Sequence, residues 1–403
     1  MDPVIWDWLS FALRWLHVVA VIAWIGSSFY FIAVDLGLRR REGMPAGVHG
    51  EEWQVHGGGF YHIQKYLVAP PQLPEELTWF KWESYGTWLS GFALLGVVYY
   101  AGAELFLIDA TVLELAPWQA IAISLVALAL GWLAYDGLCR IFVTRDQIAF
   151  ACLFAFFIAL TWAFTQVFSG RGAYIHAGAV IATIMTGNVL FIIIPGQKKV
   201  VAALLAGDTP DPALGQRAKQ RSTHNNYLTL PVIFLMLSIH YPLAFATRWN
   251  WVIVALVLVM GVVIRHFFNT LHARQGRPWW TWAVAAVCFV AIVWLSTFAP
   301  PEREAEAAAM PVPATQTADF AAVRDIVAGR CAMCHAAEPV WEGIATAPKG
   351  VAFDDDADIL RHAREIYLQS ARSTAMPPGN VSWMTGEERR QLAAWYTGQV
   401  AAH

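Results

Sequence analysis

Trp249–Leu271 reads WNWVIVALVLVMGVVIRHFFNTL, and Arg265 is the only formally charged side chain in it. About 20 residues are needed for a helix to cross the hydrocarbon of a bilayer, and this run supplies them. Seven further stretches have the same character: Leu9–Val34, Tyr85–Ala103, Pro117–Tyr135, Gln147–Phe168, Tyr174–Pro195, Leu228–Thr247 and Trp279–Ala299. In lipid only a helix or a closed barrel satisfies its own backbone, and runs this long and continuously apolar read as helices. The expected fold is therefore all-α, a polytopic eight-helix transmembrane domain over residues 1–299 followed by a small soluble domain.

Composition agrees. Charged residues are 14% of the 403, mean hydropathy is +0.46 and there are 20 tryptophans. That is about half the charge of an ordinary soluble domain, and the tryptophans suit rings at two membrane interfaces. The net charge of −3 averages two unlike parts. No basic block with interleaved aromatics is present, which sets nucleic-acid binding aside. The first charge is Asp2 and no small-residue cleavage site follows the first apolar run, so that run is expected to stay as an anchor.

Basic residues alternate between loops. Arg39, Arg40, Arg41, Lys65, Lys81, Arg140, Arg145, Lys198, Lys199, Arg217, Lys219, Arg221, Arg274 and Arg277 follow the odd-numbered spans, whereas the opposite loops carry only Arg171 and Arg248. The positive-inside rule puts the basic loops in the cytoplasm and both chain ends outside. For a multi-pass protein of a Gram-negative inner membrane, that outside is the periplasm, for both the N-terminus and the C-terminal domain. The loop 35–84, with Gly57-Gly58-Gly59, Pro70-Pro71 and the aromatic pair Trp79-Phe80, reads as an ordered interfacial cap with helix fragments. Residues 300–316 are rich in Ala, Glu and Pro and read as a linker; residues 317–403 have soluble composition.

That last segment carries Cys331-Ala332-Met333-Cys334-His335, the C-x-x-C-H signature of covalent haem attachment, in which Cys331 and Cys334 hold the vinyl groups and His335 reaches the iron. A redox dithiol is the alternative. Phe320, Val323 and Val327 lie at helical spacing before the motif. Thr385-Gly386-Glu387-Glu388 is a capping-box pattern that opens a last helix with Leu392, Trp395 and Tyr396. The segment resembles a small cytochrome c. That resemblance implies Met376, held by Pro377-Pro378, as the distal iron ligand, with Met384 as its rival. It also implies an outer-side location, in agreement with the charge count.

Ionisable groups inside spans are functional suspects. His17 and His240 fall at one depth, about 10–12 Å below the outer surface at 1.5 Å per residue. They read either as ligands of a b-type haem or as polar residues satisfied between helices. Arg14, nearly one turn from His17, would hold a propionate or an anionic substrate, and His176 at the outer edge of its span is a third ligand candidate. Asn188 lies mid-span and needs a partner, either a neighbouring helix or a polar ligand. Asn225 and Asn226 are further substrate-contact candidates. On the inner side His56, His62, His224, His266 and His272 gather without a spacing that identifies a metal. Cys139, Cys152 and Cys288 read as small buried hydrophobes. There is no dinucleotide fingerprint and no P-loop.

Several stretches together carry a resemblance: Trp15-Leu16-His17-Val18-Val19, His56-Gly57-Gly58-Gly59-Phe60-Tyr61-His62-Ile63-Gln64-Lys65-Tyr66, Trp79-Phe80-Lys81-Trp82-Glu83 and His224-Asn225-Asn226-Tyr227-Leu228-Thr229-Leu230-Pro231. With the C-terminal motif they make the chain similar to the bacterial membrane-bound, cytochrome c-dependent urate oxidases, also called urate hydroxylases. The resemblance implies oxidation of urate to 5-hydroxyisourate in the membrane domain, with electrons passed to the fused cytochrome. It implies one covalent haem c. A b-type haem is a further expectation, because a two-electron substrate facing a one-electron carrier needs either a second centre or sequential transfers. Expected partners are urate, the lipid bilayer and an external cytochrome or oxidase as electron acceptor. The residues alone leave a haem-containing electron-transfer subunit or quinol dehydrogenase open, and also a transporter with a redox sensor.

Overall fold

A computed structural model describes residues 3–67, 70, 72–142, 146–297 and 320–401; the expected linker, 300–316, lies outside them. Helix α1 runs Pro3–Gly37. A β-hairpin follows, β1 Val48–His56 and β2 Gly59–Tyr66. Helix α2, Trp82–Leu94, passes without a break into a π-helical segment, Leu95–Tyr100. Then come α3 Ala103–Phe106, α4 Pro117–Ile141 and α5 Asp146–Thr165. Helix α6, Gly170–Gly187, continues through a second π-helical segment, Asn188–Ile193, into α7 Ile194–Leu205. Helices α8 Pro212–Ser238, α9 Pro242–Phe245, α10 Asn250–His272 and α11 Trp280–Thr297 complete the N-terminal body.

Among the described residues six helices of this body are long and apolar enough to cross a membrane, against the eight expected. The stretch at 85–103 is helical through Tyr100, but its Ser, Thr, Gly and Tyr residues make it too polar. The stretch at 228–247 fails for another reason. Helix α8 starts in the polar run at Pro212 and stops at Ser238, so its apolar half is too short. Both helices still pack within the body, α2 along α1, and α8 against α6 and α10. Helix α1 turns Trp8, Phe11, Trp15, Val18, Val19 and Ile22 outward. A belt of exposed apolar side chains of this extent is what a lipid-facing helix presents.

The hairpin corrects the all-α expectation and the expected helix fragments of the 35–84 loop. Gly57 and Gly58 have φ of 58° and 82°, the left-handed pair that a two-residue hairpin turn requires and glycine adopts without strain. The Gly57–Gly59 run therefore does follow a strand. His56 pairs with Gly59 across that turn, and Arg39 bridges to Glu51 to tie the hairpin to the end of α1.

Close helix packing rests on small residues. A Cβ on Gly261 of α10 would lie 2.6 Å from Cδ of Pro231 in α8, so glycine is what lets α10 approach the interior proline. The buried core joins Leu128, Tyr135, Phe157, Tyr174, Ile181 and Leu235 from α4, α5, α6 and α8.

The C-terminal region contains α12 Phe320–Arg330, α13 Asp356–Arg361, α14 Ala363–Ile366 and α15 Gly386–Ala401. Helices α12 and α15 pack together over a separate core of Val323, Val327, Ile366, Met384, Leu392 and Trp395. The capping box forms: Glu388 N donates to Thr385 Oγ1 at 3.2 Å, and Thr385 N donates to Glu388 Oε2 at 2.6 Å. The region touches the body where Gly379 meets the carbonyl oxygens of Glu104 and Ile108.

Candidate functional site

Three polar constellations stand out. The first lies in the C-terminal region. Cys331 follows the last turn of α12, and both Cys331 and Cys334 are free thiols. Burial pushes the Cys331 thiol up to about 12, with Arg389 pulling the other way, and burial raises Cys334 too. A redox dithiol relies on a lowered thiol pKa, so these thiols are poorly suited to that role. His335 Nδ1 shares a 2.8 Å hydrogen bond with the Val351 carbonyl, an arrangement that fixes the ring and leaves Nε2 outward for a metal. Met384 is 2% exposed in the hydrophobic core, whereas Met376 is half-buried in the loop ahead of Pro377. Two thiols, one oriented imidazole and one loop thioether are the donor set that a covalently held haem requires.

The second constellation is a buried layer at the basic-loop end of the body, organised by residues 224–227 of α8. Tyr135 Oη shares a 2.8 Å hydrogen bond with His224 Nδ1, and Cys139 Sγ lies 3.8 Å from the same nitrogen. Asn188, placed at the start of the second π-helical segment, donates to Tyr135 Oη and to Asn225 Oδ1, both at 2.9 Å. Asn225 donates in turn to the Met185 carbonyl at 2.9 Å. Beneath Tyr135, Asp136 accepts 2.6 Å bonds from Arg221 and Arg140, and the Arg221 guanidinium lies 4.9 Å from the Tyr135 ring centre. One residue along α8, Asn226 Oδ1 accepts from Nε and Nη2 of Arg265, each at 3.3 Å, and from Asn269 at 3.1 Å. A cavity opens beside the layer, lined by Tyr135, Phe150, Phe154, Phe157, His224 and Tyr227 among others. Its walls are flat, aromatic and apolar, and the Tyr135 phenol and His224 imidazole on its lining are bonded to each other.

The third is a column toward the opposite end. Tyr100 Oη is 2.7 Å from Ser124 Oγ, which is 2.6 Å from His176 Nε2, and His176 Nδ1 is 2.7 Å from the Gly172 carbonyl. Ser124 and His176 are fully buried. Tyr100 lines a cleft whose far wall is Val340, Trp341 and Glu342 of the C-terminal region. With both ring nitrogens engaged inside the protein, His176 has no lone pair left for iron.

The remaining sequence candidates scatter. His17 Nδ1 sits 3.1 Å from the Thr87 carbonyl and 3.0 Å from Ser90 Oγ, its ring packed on Gly91. His240 lies past the end of α8 with an exposed side chain, and no contact joins it to His17 among the described residues. Arg14 is exposed on α1 and His56 is exposed at the hairpin turn. His62 stacks on Trp53 at 4.2 Å and bonds Glu51. His266 faces Trp280, and His272 lies at the end of α10. Among the described residues no three His, Cys, Asp or Glu side chains converge for a metal, so the inner histidines do not assemble a centre. Cys139 and Cys288 are buried as expected, while Cys152 is only half-buried. The structure brings together His224, Asn188, Asn225 and Asn226. Sequence reading missed Tyr135, Asp136 and Asn269, and noted Arg265 only as the charge inside its span. Asp136 and Arg265, ionisable at the ends of apolar runs, carried the signal that pointed to them.

The body is a bundle of apolar helices that encloses a polar layer and an aromatic cavity. The chain belongs to the urate oxidase N-terminal family, whose model matches residues 3–296. No curated protein and no solved structure matches it.

Proposed function

We propose that this protein oxidises urate to 5-hydroxyisourate within a membrane-embedded helical body and passes the electrons to a haem c carried by its C-terminal region. The family match over residues 3–296, joined on one chain to the Cys331–His335 motif, carries the reading. The reaction balances as urate plus water giving 5-hydroxyisourate, two protons and two electrons. His224, on the cavity wall and hydrogen-bonded to Tyr135, takes a proton as the substrate is oxidised. Asn188, itself bonded to Asn225, holds that phenol in place. The haem, when bound through Cys331 and Cys334, supplies a one-electron acceptor. The basic loops support a cytoplasmic inner side, and covalent haem attachment supports a C-terminal region on the periplasmic side of a bacterial inner membrane, with an external cytochrome or oxidase as the next acceptor.

The purified holoprotein tests this directly. Urate added without oxygen should reduce the haem and yield 5-hydroxyisourate in a ratio of one product per two electrons. A haem spectrum indifferent to urate would sink the reading.

A further inference from the structure

Arg265 carries a charge that the structure does not balance. Among the described residues no carboxylate pairs with it. Its hydrogen bonds go to the neutral amides Asn226 and Asn269, and its guanidinium lies 4.0 Å from the Phe29 ring centre. It is 5% exposed. Within the same layer the buried carboxylate of Asp136 is already paired with buried Arg221, so the two buried guanidiniums share one carboxylate between them. A buried cation without a counter-ion is costly and marks a place where an anion is meant to sit.

Asn226 gives an independent sign. Its Oδ1 faces Arg265 and Asn269, so its amide NH2 points away from them. That Nδ2 is buried and has no hydrogen-bond partner, in a residue that is 0% exposed. Such a donor is rarely left unmade. The cavity already described lies about one helical turn away along α10, and neither Arg265 nor Asn226 lines it. Leu258 and Val262 of α10 line it, and Arg265 and Asn269 continue the same helix stripe at spacings of three and four residues. On α8, Tyr227 lines the cavity next to Asn226.

We propose that Arg265 and Asn226 form an anion site about one turn of α10 beyond the substrate cavity. They receive the deprotonated, carbonyl-bearing edge of a flat oxopurine, with Phe29 stacked beneath the guanidinium. The proposal rests on the urate reading and adds to it the residues that recognise the substrate's charge. An oxopurine anion is favoured over a lipid phosphate because both recognising side chains are shielded from the surface and the adjoining walls are flat and aromatic.

Asn226→Asp is the sharpest test. It changes side-chain volume little and gives Arg265 an internal carboxylate, which removes the need for a ligand. Urate binding to the detergent-solubilised holoprotein, measured by calorimetry, should weaken roughly 10- to 100-fold, as expected for losing hydrogen bonds to a charged group. Haem content should be unchanged and Tm should not fall. Arg265→Lys, which keeps the charge but loses the planar fork, should fall between Asn226→Asp and the parent. A folded Asn226→Asp variant with the parent's urate affinity and KM would overturn the proposal while leaving urate oxidation standing. So would a variant that loses co-purifying phospholipid, by phosphorus assay, with urate affinity intact. Parent protein that neither binds nor oxidises urate would defeat both readings.

Discussion

Met376 and Met384 occupy different physical settings. Met384 fills the C-terminal core with Leu392 and Trp395, and Met376 stands half-buried in an irregular loop. Met384→Ala should therefore lower stability by about 2–5 kcal/mol, the range for truncating a buried methionine, and leave the iron low-spin. Met376→Ala should leave Tm nearly unchanged and convert the iron to high-spin, read from the absorption spectrum of the oxidised protein. The opposite pattern would exchange the two assignments. Motif residues of this kind are legible in a sequence because adjacent residues do one job. The polar layer was less legible, since its partners come from four helices. Asn188 announced a need for a partner, but nothing in one dimension said that the partner was Tyr135. For His17 and His240, equal depth in two hydropathy runs did not carry the information that one helix stops at Ser238, ahead of the second histidine.

The start of α15 illustrates what one turn of helix contributes. Burial acts to raise the Glu388 pKa, but hydrogen bonds from Thr385 and from Arg330 outweigh it and hold the carboxyl below its ordinary value. A lowered folded-state pKa means that the ionised form stabilises the fold. That stability is complete above the unfolded value of about 4.3 and is lost as pH falls through the folded value. Glu388→Gln should thus lower Tm at neutral pH, by about 1 kcal/mol in stability, and the gap to the parent should close in acid. A gap independent of pH would mean the carboxylate's charge contributes nothing. This element was readable from Thr385-x-x-Glu388 because capping is local chemistry. The hairpin was not read, although two adjacent glycines between strands signal one. Its strands expose Trp53, Val55, Phe60 and Tyr61, so the usual apolar-polar alternation is missing.

At the scale of the molecule, the C-terminal region rests on the body through a glycine. Gly379 has φ of 56°, and a Cβ there would lie 2.5 Å from the Ile108 carbonyl oxygen and 2.8 Å from that of Glu104. Gly379→Ala should wedge the two parts apart. Reduction of the haem by urate should slow, with reduction by ascorbate unaltered; equal slowing of both, or of neither, would show that this contact does not govern transfer. The cleft beside it ends at Tyr100, and the serine behind that phenol has a single hydrogen to give. While the imidazole of His176 is neutral and its Nδ1–H is held by Gly172, Ser124 must point its hydrogen inward and Tyr100 must follow suit. The direction in which a phenol points, at the surface where the two halves of the chain meet, is thereby set by an imidazole deep in the body.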